Sequence, residues 1–406
     1  MKLLYVSTLD HIVRVMLPHL DGAKAAGYET HVACQFTRFK DDVAAHADGL
    51  HHVPIQRNPL DPRNVIALFQ LVKLIRKLQP DIVHCHNPSG GFYGRLAATL
   101  AKHWHPRTRG RGGLKRVYTA HGFHFHPLGG KLSNAIYRFI ESFAGRFLSD
   151  AVLTINQWDF EEAKKLMPPE RVHFTHGVGV STDEFDPAAV TTEERQKIRD
   201  EFSVPKDGLL ISCIGELIPR KNQELLLWAV ADQGMMSFDP KVKLLFVGDG
   251  SLLEPLRTKV DGLHLGERVH FAGFRRDTKA VLAASDLFVF PSLQEGLPCA
   301  VQEALSMEVP VLCFAIRGCT DMVDSNCGAI LNHLQSCRTM TNKMVDLLRL
   351  SVAQRKALGQ AGRQKMIEHY SRPVCVAEWL EIYNKIPPHS QPPPRVGRRG
   401  RGRRAS

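Results

Sequence analysis

Glu295 and Glu303 stand with seven residues between them, on either side of Gly296-Leu297-Pro298, where an apolar run gives way to a helical pattern. Leu287 to Phe290 is short, bounded and rich in strand formers, the mark of a buried parallel strand, and it stops at Pro291. Gln294-Glu295-Gly296 then turns the chain. Pro298 stands where a helix accepts its first residue, and Val301, Ala304 and Leu305 follow at helical spacing. A strand feeding a helix in this way sets the helix N-terminus at the carboxyl edge of a parallel sheet, where open α/β sheets bind ligands. The free N–H groups of Gly296, Leu297 and Cys299 suit a phosphate, and a carboxylate flanks them on each side. That combination fits a sugar nucleotide. Two acids also serve glycoside hydrolysis across roughly 5 to 9.5 Å. One acid in a turn, with the other more than a helical turn away, fits that geometry poorly. The plain alternative is a pair of solvated acids at the start and on the face of a helix.

Two further loops of the same half leave a strand for a helix. Gly215-Glu216-Leu217-Ile218-Pro219-Arg220-Lys221-Asn222 puts two cations at a helix N-terminus, where cations are unfavourable, so an anion is expected between them. Gly248-Asp249-Gly250-Ser251 is the other. Each loop is common by itself, but three at one sheet edge converge on one crevice. In the first half, His121, His124 and His126 lie just past the strand Arg116 to Ala120. One loop histidine is usually a satisfied structural residue, whereas three at the ligand edge point to function. A zinc site there lacks defined further ligands.

The elements that must position these residues alternate throughout. Strands at Lys2–Val6, Glu29–Cys34, 81–86, Arg116–Ala120, Ala151–Ile155 and within Val172–Val180 interleave with helices at Val13–Ala26, Val65–Leu78, Phe92–Ala101 and Leu132–Leu148. The second half repeats the order, with strands at Leu209–Ile214, Val242–Val247, Val269–Ala272, 287–290 and 311–314, and with Ser251 and Glu254 as a capping box. This alternation predicts α/β architecture with doubly wound parallel sheets. We expect a first domain over 1–182, a polar linker near 181–192, a second domain over 193–373 and a last helix over 374–386. Residues 387–406, rich in Pro and Arg, are expected to be disordered. The apolar stripe Leu132, Ile136, Phe139, Ile140, Phe143, Phe147 and Leu148 reads first as a core-facing helix and second as a membrane-surface one.

At 406 residues, 44% apolar and 23% charged, the chain has the composition of a two-domain soluble protein. No apolar run reaches the ~18 residues of a membrane span, and the N-terminus reads as a first strand, not a signal peptide. Nine cysteines without a C-x-x-C pair indicate free thiols in a reducing cytoplasm. Of the formal charge of +12, half comes from Arg395, Arg398, Arg399, Arg401, Arg403 and Arg404. A second basic stretch, 107–116, reads as an exposed loop. Nucleic-acid binding through these segments is the rival from another class. The basic residues lack interleaved aromatics, and no DNA- or RNA-binding module is visible.

The motifs together resemble retaining glycosyltransferases of family 4, which have the GT-B fold of two Rossmann-like domains facing across a cleft. The residues that carry the likeness are Glu295 and Glu303 with Gly-Leu-Pro between, the 215–222 loop, the 248–250 loop and Val269-His-Phe-Ala-Gly-Phe274. Leu9-Asp-His-Ile, His84-Cys-His-Asn-Pro, Tyr118-Thr-Ala-His-Gly-Phe-His-Phe and Gly177-Val-Gly-Val are similar to a branch that builds bacterial capsular and exopolysaccharides. The resemblance implies a UDP-sugar donor and a lipid-linked glycan acceptor. It implies a reaction that keeps the anomeric configuration and needs no metal or other cofactor, at the inner face of the cytoplasmic membrane. It implies that Glu303 holds the ribose, Glu295 and the Gly296-Leu297 amides the sugar and its phosphate, and Lys221 the leaving diphosphate. Gly215, Glu216, Arg220, Gly248, Asp249 and Phe274 fall on the donor side. His121 falls at the reacting centre, and Asp10, His11, His86, Asn87 and His124 face the acceptor. Glu216 departs from an arginine common in the family, and Ser181 from a common acid. Another GT-B reaction, nucleotide-sugar 2-epimerisation, is the rival among enzymes.

Overall fold

The computed structural model describes residues 1–102, 113–332 and 336–386. The expected basic loop falls mostly outside these residues and the expected disordered tail falls wholly outside them. The first sheet has seven parallel strands, β1 (Lys2–Leu9), β2 (Glu29–Gln35), β3 (Gly49–His52), β4 (Ile82–His86), β5 (Lys115–Ala120), β6 (Ala151–Thr154) and β7 (Val172–Phe174), in the order β3-β2-β1-β4-β5-β6-β7. The second has six, β8 (Leu210–Ile214), β9 (Lys243–Val247), β10 (Val269–Phe271), β11 (Leu287–Phe290), β12 (Val311–Phe314) and β13 (Gly328–Leu331), in the order β10-β9-β8-β11-β12-β13. Strands such as β4 and β11 are buried at every position, because helices cover both sheet faces. Strand order reverses between β1 and β4 and again between β8 and β11. These are the two places where a doubly wound sheet opens a ligand crevice.

In the first half, α1 (Asp10–Val15), α2 (Leu17–Ala25) and α3 (Lys40–Ala44) cover one face, and α4 (Arg63–Leu78), α5 (Pro88–Lys102), α6 (Lys131–Phe147) and α7 (Gln157–Leu166) the other. The second half carries α8 (Thr192–Glu201), α9 (Glu224–Ala231), α10 (Gln233–Phe238), α11 (Leu253–Gly262), α12 (Thr278–Ala284), α13 (Cys299–Ser306), α14 (Cys319–Met322), α15 (Cys337–Arg349) and α16 (Val352–Lys365). After a π turn at Met366–Tyr370 comes α17 (Arg372–Lys385). Its Trp379, Ile382 and Tyr383 enter the first-half core beside Leu3, Tyr5 and Leu20. The two passages between halves run side by side: Val180 N–H donates to Tyr370 O at 2.8 Å and Arg372 N–H to Val180 O at 3.0 Å.

Four expectations are corrected. The helix over 13–26 is two helices, and it breaks at Met16 because Pro18 has no N–H to continue an earlier turn. The helix expected from Phe92 starts at Pro88, after Asn87 takes a left-handed φ of 53°. The Ser251–Glu254 capping box does not form. Leu252 N–H is held by Leu217 O at 2.9 Å, which leaves Leu252 as the helix cap, and Glu254 pairs with Arg257.

The fourth correction is α6, which turns its apolar stripe outward. Leu132 is 77% and Phe139 73% exposed, with Ile136, Phe143 and Phe147 also exposed, while Glu141, Ala144, Gly145 and, at the end of the stripe, Leu148 are buried. Two contacts set this pose. Glu141 reaches the buried Arg95 at 3.6 Å and accepts from Tyr118 Oη at 3.4 Å, and a side chain at Gly145 would overlap Met167.

Candidate active site

The loops leaving β8 and β11 meet at the second switch point. After β8, Gly215 leads into a short 3-10 turn at Pro219–Lys221, closed by Asn222 at φ 56°. After β11, Ser292 to Pro298 lead into α13, with Pro298 as its cap and Cys299 as its first residue. Between the two loops, one oxygen of Glu295 takes three partners: Arg220 Nη1 at 2.7 Å, Lys221 Nζ at 2.8 Å and Ser292 Oγ at 2.6 Å. The anion expected between Arg220 and Lys221 is therefore a carboxylate of the protein itself. Lys221 Nζ also stands 4.8 Å above the Phe290 ring.

Neighbouring loops press in through glycine. Side chains at Gly248 and Gly250 would overlap the carbonyls of Gly215 and Leu217, and Leu217 N–H donates to Asp249 O at 2.9 Å. Gly215, Gly248 and Asp249 thus come to one edge, with Glu216 and Phe274 exposed beside it. The Gly296 loop meets the facing half backbone to backbone. A methyl group on Gly296 would overlap His121 O, and one on Gly122, at φ 127°, would stand 3.0 Å from the Gly296 Cα. His121 is brought directly against the anion loop.

Three residues that clamp this contact escaped the sequence reading. Arg317, 6% exposed, pairs with the fully buried Asp159 at 2.8 Å and donates from Nε to Glu295 O at 2.9 Å. Asn156 donates to Gly296 O at 3.1 Å and to Asp159 at 2.7 Å. Burial pushes the Asp159 carboxyl up against the pull of Arg317. The only local signal was Asn156 three residues before Asp159 at a helix start; the partners across the contact, Gly296 and Arg317, lie more than a hundred residues away.

Glu303 lines a cavity of about 610 Å³ between the halves, together with Arg14, Leu17, Gly179, Glu184 and Arg372. Burial first, and then Glu184, push its carboxyl up to about 7, with Arg372 opposing. A second cavity of about 760 Å³ is bounded by Arg14, Arg38 and Phe39 on one side and Phe274 and Arg276 on the other.

Residues expected to face an acceptor divide. His11 and His124 are exposed. Asn87 is half-buried and ties β4 to β1, with Nδ2 donating to Thr8 Oγ1 at 2.7 Å. Asp10 does not face an acceptor. It is fully buried and accepts from the N–H groups of Thr37, Arg38 and Phe39 at 2.6, 2.9 and 2.8 Å, so it shapes that loop. Burial raises the Asp10 carboxyl, and these bonds more than reverse the effect. His86 does not face an acceptor either. It is fully buried under Trp379 of α17, and its Nδ1 lies 3.2 Å from His121 Nε2. Burial lowers His121 to about 4 and His86 well below the ordinary histidine range, so both rings are neutral.

The arrangement can hold a diphosphate between two cations and free amides, with one carboxyl beside it, a second in the cleft wall and a neutral histidine opposite. Residues 2–156 match the glycosyl transferase 4-like family model and residues 194–365 match glycosyl transferases group 1. The putative glycosyltransferase EpsD of Bacillus subtilis is 32% identical, over 94% of this chain and 96% of that one. An Escherichia coli UDP-Gal:α-D-GlcNAc-diphosphoundecaprenol α-1,3-galactosyltransferase is 29% identical over 70% of each chain. In fold, the chain is similar to HepE of Anabaena, solved with UDP, at a TM-score of 0.76 and 17% identity, covering 95% of this chain and all of that one. The sheets are those of a GT-B enzyme, and the chain belongs to the glycosyltransferases, with a 4-like first half and a group 1 second half.

Proposed function

We propose that the protein transfers a sugar from a UDP-sugar to a lipid-linked glycan with retention of configuration, in building an exopolysaccharide, capsule or lipopolysaccharide. The observation that carries this reading is the meeting of Lys221, Arg220 and Glu295 beside the bare backbone of Gly296, against His121 of the facing half. The diphosphate lies between the two cations and the Gly296 and Leu297 amides. The ribose reaches Glu303, the base lies towards Phe274, and the sugar lies between Glu295 and His121. The C1–O bond breaks towards the diphosphate, the acceptor oxygen bonds to C1 on the same face, and the acceptor proton leaves with the phosphate. Lys221, Arg220 and the amides offset the charge that develops on the leaving group, so no metal ion takes part. The names of relatives acting on diphosphoundecaprenol and holding UDP support the donor and acceptor classes.

A lipid-linked acceptor brings the enzyme to the inner face of the membrane. No helix among the described residues is long and apolar enough to cross one. The outer face of α4, α5 and α6 fits an anionic surface. Their single acid, Glu141, is buried against Arg95, while Val65, Ile66 and Phe69 on α4 and the α6 stripe are exposed. Lys73, Arg76 and Lys77 on α4 and Lys131 and Arg146 on α6 are exposed with them, each contributing about 1 kcal/mol near anionic lipid. Vesicle co-sedimentation should need anionic lipid and weaken with salt. Equal binding to neutral vesicles in high salt would overturn this part.

The transfer is tested with a panel of UDP- and GDP-sugars and a lipid-linked acceptor extract, in EDTA. The expected result is acceptor-dependent release of UDP. Release of free sugar, or an epimerised donor, without acceptor would overturn the reading.

A further inference from the structure

We propose that His86 is a positioning residue that fixes the proton of His121 on Nδ1, so that His121 meets the substrate as a hydrogen-bond donor. The inference rests on the reading above that His121 stands at the donor sugar.

His86 has no room to turn. Its ring stacks on Trp379 at 5.7 Å, meets the Tyr5 ring edge-on at 5.0 Å and lies 4.2 Å from the His84 ring. His84 is itself fastened at both nitrogens, by Tyr383 Oη at 2.5 Å and Thr119 Oγ1 at 2.8 Å. The helix that returns from the far end of the chain, α17, supplies both Trp379 and Tyr383.

Held in this way, His86 has one bond to make, from Nδ1 to His121 Nε2 at 3.2 Å. Its Nε2 is sealed from solvent and has no partner. Both rings are neutral, so each carries one N–H, and one ring donates to the other. If His121 donated, the His86 proton would sit on Nε2, a buried N–H with no acceptor. If His86 donates, only a lone pair is left bare, and that is the lesser penalty. The neighbouring indole agrees. Trp379 Nε1 is also buried without a partner and can only donate, so an acceptor on His86 complements it where a second donor would oppose it.

The consequence passes to His121. With Nε2 accepting from His86, its own proton sits on Nδ1, which makes no bond within the described residues and is not sealed. His121 then offers N–H to a sugar or phosphate oxygen and does not take the acceptor's proton. That matches a reaction in which the departing phosphate removes the proton.

Long-range proton–nitrogen NMR on the full chain with 15N-histidine reads the tautomer directly, the His121 signals being identified by their loss in His121→Asn. The expected wild-type signature is a protonated Nδ1 and a bare Nε2. In His86→Leu we expect a tautomer mixture and a fall in kcat on the order of 10- to 100-fold, with UDP affinity unchanged. His86→Asn, whose amide nitrogen takes the place of Nδ1, should restore the wild-type signature and most of the turnover. A wild-type His121 protonated on Nε2, or a tautomer that His86→Leu leaves unchanged, overturns the proposal. If His86→Leu does not fold, the wild-type and His86→Asn spectra decide it. Full turnover by His121→Asn would refute the placement of His121 at the donor sugar, whatever its tautomer.

Discussion

Replacing Lys221 by alanine removes one of the two cations proposed to face the leaving group and leaves the other. Lys221 Nζ lies 2.8 Å from Glu295, and its side chain is 15% exposed, so solvent screens it only partly. A unit charge at about 4 Å interacts with it by about 4 kcal/mol at an effective dielectric of ~20. Arg220 shares the same carboxylate oxygen and persists in the variant, so the net loss is smaller, about 3 kcal/mol. The charge on the diphosphate grows as the sugar bond breaks, and the loss therefore falls on the transition state. Lys221→Ala should lower kcat on the order of 100-fold with little change in donor KM. The fold should hold, because Glu295 keeps Arg220 and Ser292. Initial rates at saturating acceptor, with a thermal melt as control, measure both. A rise in donor KM alone, or activity near wild type, would refute the argument and make Arg220 the better candidate for the phosphate cation.

Glu303→Gln should mainly raise donor KM, since the ribose it is proposed to hold is remote from the breaking bond. Its carboxyl is raised to about 7 in the fold, so the folded state binds the proton more tightly than the unfolded state; wild-type stability should fall as pH rises from about 5 to 7, and Glu303→Gln should flatten that fall in a series of melts. Gly296→Ala, whose methyl would overlap His121 O, should force the loops apart and reduce turnover at least 100-fold, on the order of a lost transition-state donor, while each half stays folded. Arg317→Ala strands Asp159 uncompensated in the interface and should destabilise by about 3–5 kcal/mol, read as a lowered melting temperature; an unchanged melt would show that the pair is not holding the halves.

The α/β alternation was legible because strands buried on both faces, such as Leu287 to Phe290, are written as unbroken apolar runs between turn residues. The loops after β8 and β11 were legible for a related reason. Glycine, proline and paired charges mark strand exits, and parallel topology sends those exits to one edge. What remained hidden depends on contacts between distant residues. Periodicity showed that α6 has an apolar stripe, but the direction it faces is set by Glu141 meeting Arg95 and by Gly145 meeting Met167. Asp10 and His11 stand side by side, and the resemblance places both towards the acceptor. Only the amides of residues 37–39, folding back onto it, make Asp10 a buried anchor while His11 stays exposed. His86 read as open to the cleft because the ring that covers it, Trp379, arrives on the last helix.

Transfer from a UDP-sugar with the configuration kept underlies every role proposed for these residues. The direct measurement is the product made from a UDP-sugar labelled with 13C at C1 and a lipid diphosphate acceptor, its one-bond C1–H coupling read by NMR. The expected product is an α linkage from an α donor, formed together with UDP. A β-linked product, or a label that ends in free or epimerised sugar, would contradict it.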